Sequence, residues 1–148
     1  MSYPHFSGDC DEYHELVRDF GGERPRIVCL CGSTRFYAQF QEANYRLTMQ
    51  GEIVLSVGFY PHAAAEHGHG EGVGHDSAEK VSLDELHKRK VDLADYVYVV
   101  SEGGYFGDST AGEIVYAVRN RKQVLFAEEV ARDRAYGMGL LGVAPVSP

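Results

Sequence analysis

The chain has 148 residues, 44% of them hydrophobic and 24% charged, with a formal net charge of −8. That length suits one domain with one core, and that charge argues against binding a nucleic-acid polymer, which takes a basic surface. No apolar run approaches the roughly 18 residues of a membrane span, and the opening MSYPHFSGDCDEYHE lacks both parts of a signal peptide, so no membrane partner and a cytoplasmic location are expected.

Residues 1–24 read as an N-terminal extension or short helix around Tyr13, Leu16, Val17 and Phe20, and residues 25–148 as a single domain. The first strand-like run is RIVCLC (26–31), in which Cys29 and Cys31 alternate with Val28 and Leu30 and so share one face. With Cys10 they make three cysteines, an odd count that builds no disulfide framework. They are expected to pack as small hydrophobes, since a metal reading of C-x-C needs partner ligands from elsewhere. The run ends at Gly32, Ser33, Thr34 and Arg35, and Phe36, Phe40, Ala43 and Leu47 follow near helical spacing.

GEIVLSV (51–57) reads as the second strand. Residues 58–81 are rich in glycine and histidine, and connections that long usually bind something or move. His62, His67, His69 and His75, with Asp76, are zinc-ligand types, but their spacing matches no standard site. A lid fits better, and no metal is expected. A second helix falls in SLDELHKRKVDLAD (82–95), with Leu83, Leu86, Lys90 and Leu93 as its imperfect stripe. DYVYVVS (95–101) is the third strand and KQVLFAE (122–128) the fourth. Between them Ala111, Ile114, Val115 and Val118 mark a helix that starts near Ser109 or Thr110. A fifth strand in GMGLLGVAPVSP is weakened by its glycines and prolines. Continuous apolar runs alternating with helices predict an α/β fold. The expected form is a doubly wound, mostly parallel sheet of about four or five strands with helices on both faces.

In such sheets ligands bind beyond the carboxyl ends of the strands, where two turns fall. Gly32–Arg35 offers a tight turn, two hydroxyls and a guanidinium fork; Ser33 or Thr34 could equally cap the helix. GGYFGDSTAGEIVYA (103–117) carries Asp108, Ser109, Thr110 and Glu113. A carboxylate in a first helical turn has its charge favoured, which suits Glu113 to attack or to stabilise a developing cation. Thr110 and Glu113 also have the spacing of a capping box. Asp84 and His87, three apart, are helical neighbours, while Asp95 suits a structural role.

With both turns and Glu113 in view, the chain resembles the nucleoside 2-deoxyribosyltransferase superfamily, which includes nucleotide N-glycosidases. The likeness covers roughly residues 26–126. It rests on Gly32, Ser33 and Arg35 after the first strand and on AGEIVYA around Glu113. It implies cleavage of the N-glycosidic bond of a nucleoside or nucleoside 5'-monophosphate, by a hydrolase or a transferase, without a cofactor. It also implies a homodimer or larger homo-oligomer. By the same resemblance Glu113 is the nucleophile. Family members usually carry an aspartate eight residues before the one opening the third strand, and here His87 stands there before Asp95. Asp84, His87 or Asp92 is then the acid or base. The family's phosphate-contacting serine position is Gly107, followed by Asp108 and Ser109. Gly32, Ser33, Thr34 and Arg35 would hold the sugar or phosphate, Tyr105, Asp108 and Ser109 would reach the same ligand, and Phe59, Tyr60 and His62 would stack on the base. A non-catalytic nucleotide-binding module and a structural oligomerisation domain are the rival readings.

Overall fold

The computed structural model describes residues 24–58 and 78–142. Four strands, β1 (Ile27–Cys31), β2 (Ile53–Leu55), β3 (Tyr96–Val99) and β4 (Gln123–Phe126), form one sheet in the order β2-β1-β3-β4. Every neighbouring pair is parallel, with Ile27 opposite Ile53, Val28 opposite Tyr96 and Tyr96 opposite Gln123. Four helices connect and follow them: α1 (Tyr37–Met49), α2 (Ala78–Leu93), α3 (Asp108–Arg119) and α4 (Glu129–Gly137).

The sheet is covered on both faces because the period of two sends alternate residues to opposite sides. Val28, Leu30 and Tyr96 meet Phe40, Ala43 and Leu47 of α1 on one face. Cys29, Cys31, Val97 and Val99 meet Val91 of α2, Ile114 and Ala117 of α3, and Ala131 and Ala135 of α4 on the other. A fully buried Phe or Leu in such a layer contributes about 2 kcal/mol. The fold is therefore the doubly wound α/β sandwich expected, with four strands among the described residues.

Three expectations need correction. The stripe in α2 runs the other way: Leu83, Leu86 and Leu93 are exposed, while His87 and Val91 are buried. Leu86 and Leu93 sit seven residues apart, so they share a face turned away from the sheet. The described part of the tail, residues 137–142, does not add a strand, because α4 occupies 129–137 and turns follow to 141, while residues 143–148 lie outside the described residues. Residues 78–81, placed in the long connection, are already helical. The N-terminal helix, Phe59, Tyr60 and the histidines from His62 to His75 lie outside the described residues.

Candidate functional site

The chain passes from β1 to β2 on one side and from β3 to β4 on the other, so the winding reverses between β1 and β3. In sheets of this kind the switch point, at the carboxyl ends of the two strands, is where ligands bind. Gly32 lies on one side, so near its neighbour that an added Cβ would stand 2.5 Å from the Val100 carbonyl oxygen. Only a residue without a side chain lets the two chains approach so closely.

The two turns after β1 and β3 touch each other. The Arg35 guanidinium lies over the Tyr105 ring at 4.6 Å, a cation–π contact that joins them. Phe36 meets the same ring edge-on at 6.1 Å, and Gln39 donates to Glu102 at 2.9 Å. Neither Ser33 nor Thr34 caps α1: its N-cap is Phe36, with no side-chain cap. Ser33 instead shapes the turn, its carbonyl accepting from Phe36 N–H at 3.0 Å.

Glu113 lies neither in the first turn of its helix nor in a capping box. The helix begins at Asp108 with Gly107 as N-cap and no side-chain cap, so Thr110 and Glu113 form no capping box. Glu113 is then the sixth helical residue, past the first turn where a helix dipole acts. It is 8% exposed, and burial pushes its carboxyl up to about 7, against the pull of neighbouring His87. Glu113 Oε2 is 3.9 Å from His87 Nε2, and neighbouring Cys31 also works against the upward shift.

His87 reaches that point because α2 turns it inward. Its Nε2 lies 3.3 Å from Cys31 Sγ and 3.6 Å from Cys29 Sγ. Burial lowers its basicity, but Cys29 and Glu113 outweigh that and raise it. The hydrogen bond with Cys31 draws the Cys29 thiol down to about 6, while Cys31 is pushed well up by Cys29 and by burial. The cysteines are thus buried in the apolar layer as expected, and they also adjoin the two functional candidates. Sequence spacing could not show this, since His87 is 56 residues from Cys31. Cys29, Cys31 and His87 are the described residues that could hold a metal, their ligand atoms all within 4.8 Å of one another.

The other candidates divide. Both Asp84 oxygens accept from Lys80 Nζ, at 2.8 and 2.9 Å, and the same ammonium reaches Ser109 Oγ at 2.9 Å. Asp84 and Ser109 are therefore brought together, through a lysine the sequence reading passed over, and the Asp84 charge is felt at Glu113. Asp108 is exposed at the start of α3, and Tyr60 lies outside the described residues. Asp92 leaves the site: it accepts from Tyr116 at 2.6 Å and from Arg89 at 2.9 Å. Asp95 is structural, taking the Ile27 N–H and Arg24 at 2.7 Å each.

Glu128 also went unnoticed in the sequence. It accepts from Ser101 at 2.6 Å, Gly104 N–H at 3.0 Å and Gly103 N–H at 3.1 Å, which fixes the loop after β3. Gly103 and Gly104 have φ of 64° and 78°, and the amide cradle they form is filled by this carboxylate. It is no free seat for phosphate. A cavity of about 440 Å³ runs along β4, lined by residues such as Arg121, Phe126, Arg132 and Tyr136. None of its lining residues lies in a loop beyond a strand's carboxyl end, so it is separate from the switch point.

Family models, curated proteins and solved structures were compared with the chain, and none matches it. What the structure defines is a doubly wound parallel α/β sheet with a buried Glu–His–thiol cluster behind its switch point.

Proposed function

We propose that the protein cleaves the N-glycosidic bond of a nucleoside or nucleoside 5'-monophosphate, by hydrolysis or by transfer of the 2-deoxyribosyl group to another base. The observation that carries this reading is the placement of Glu113, a carboxyl group that caps nothing and sits buried beside His87 at the switch point. Carboxylates are rarely buried without a task or a partner. A group there can neutralise the positive charge that develops at C1' and can form an ester that breaks again.

In this scheme a Glu113 oxygen bonds to C1' while the C1'–N pair leaves with the base. His87, as imidazolium, gives that base its proton. Water, or a second base, then attacks C1' and releases the carboxylate. His87 fits the acid role better than Asp84, whose two oxygens are both engaged as acceptors by Lys80. Arg35, Ser33 and Thr34 hold the sugar or phosphate end, with Tyr105 beside them. A neighbouring subunit closing the pocket, in a homodimer or larger assembly, completes the proposal.

The test is a panel of nucleosides and monophosphates, with and without an acceptor base. Base released without acceptor defines a hydrolase; exchange only with acceptor defines a transferase. Glu113→Gln is expected to lower either rate at least ~1000-fold, and His87→Gln roughly 100-fold. Base release by Glu113→Gln at the parental rate would sink the covalent scheme. No product from any substrate would favour a non-catalytic binding module.

A further inference from the structure

An imidazole nitrogen has one lone pair or one N–H, so it serves one hydrogen-bond partner at a time. His87 Nε2 nevertheless has Cys31 Sγ at 3.3 Å, Cys29 Sγ at 3.6 Å and Glu113 Oε2 at 3.9 Å. A metal ion shared by the same atoms accounts for the crowding. Tetrahedral zinc, with Zn–S of about 2.3 Å and Zn–N of about 2.0 Å, sets sulfur and nitrogen about 3.5 Å apart. The two observed separations bracket that value. The ligand atoms come from β1 and α2, two regular elements, so the cage is held by the core and not by loops. On the ring's other side Nδ1 is buried without a hydrogen-bond partner among the described residues, so the Nε2 side sets its orientation.

We propose that Cys29, Cys31 and His87 bind a thiophilic divalent cation, zinc being the commonest such ion, with the fourth position turned toward Glu113. Binding converts the two thiols to thiolates, whose protons go to solvent, and no oxidant or reductant takes part. Two thiolates balance the charge of the ion, which lets it sit among fully buried residues. A cation on Nε2 also removes that nitrogen from proton transfer. Loading the cage therefore slows base release, a consequence that rests on the function proposed above.

The full chain, stripped by a chelator under reducing conditions, is titrated with cobalt(II). Equimolar binding is expected, with thiolate-to-cobalt charge-transfer bands in the near ultraviolet and intense visible bands of a tetrahedral site. Zinc should displace the cobalt and, at a hundredfold excess over Kd, raise the melting temperature by about 10 °C. The double variant Cys29→Ala/Cys31→Ala should lose the charge-transfer bands and the zinc shift, its fold checked by far-UV circular dichroism. Cys10 remains in that variant and serves as the internal control. Glu113→Gln should keep the charge-transfer bands while losing base release. Weak octahedral spectra from the parent protein, or equal binding by the double variant, would overturn the cage. Loss of the bands in Glu113→Gln would overturn the three-ligand assignment. Cobalt binding in a protein that releases no base would remove the glycosidase reading and leave the cage standing; base release without cobalt binding would do the reverse.

Discussion

Gly32 shows how much of the switch point depends on a single missing side chain. Its Cα faces the Val100 carbonyl across the switch point, and a methyl group there would stand 2.5 Å from that oxygen and 3.3 Å from the Phe40 ring. Neither neighbour is free to retreat, since one is backbone and the other is fully packed in the core. Gly32→Ala is therefore expected to cost about 1–3 kcal/mol, as overpacking does, read as a lower urea midpoint at unchanged slope. The glycine was legible in the sequence because it ends an apolar run. The carboxylate of Glu128 was not, because what it holds is a pair of backbone amides, and those leave no mark on side-chain pattern.

At the scale of the element, α2 repays closest inspection. Its hydrophobicity points outward at Leu86, 54% exposed, and Leu93, 68% exposed, while Val91 is fully buried and His87 nearly so. A helix that buries histidine and exposes leucine has its orientation set by contacts with the cysteine face of β1 and with α3, not by its own apolar stripe. Val91→Ala should then cost about 2 kcal/mol through the cavity left behind, and Leu86→Ala less than about 0.5 kcal/mol, both from urea unfolding. Equal costs would mean that the outward leucines are covered in solution. The same helix explains what sequence could and could not deliver. The four strands and α1 were plain, since Phe40, Ala43 and Leu47 bury as their spacing demands. In α2 the period was misread because its buried positions include a polar residue. Asp84, His87 and Glu113 were singled out from residue type and resemblance. Their conjunction with Cys29 and Cys31 was invisible, because it depends on how far α2 rotates against the sheet.

Across the whole molecule, two carboxylates tie the sheet at opposite ends. Asp95 holds the amino ends of β1 and β3 by accepting from Ile27 N–H, with Arg24 adding an ion pair. Glu128 holds the carboxyl end of β3 through Ser101, Gly104 and Gly103. Both are held below the usual carboxylate range, Asp95 by the Ile27 amide and then Arg24, Glu128 by the Ser101 hydroxyl and then the Gly104 amide. In the unfolded chain they titrate near pH 4. Between that value and their lower folded values the unfolded chain binds more protons, so the stability they supply is complete above about pH 4 and is lost as the pH falls through the folded values. The useful measurement is a difference, since other groups titrate equally in both proteins. At pH 6 the double variant Asp95→Asn/Glu128→Gln should melt about 5 °C below its parent, and the gap should narrow progressively as the pH falls below about 4. Partial exposure of Asp95 lets solvent screen its share, so Glu128→Gln alone should account for more of the gap than Asp95→Asn alone. A gap that held constant as the pH fell through the carboxylate range would mean that the two side chains clamp the sheet by shape, with their charge contributing nothing.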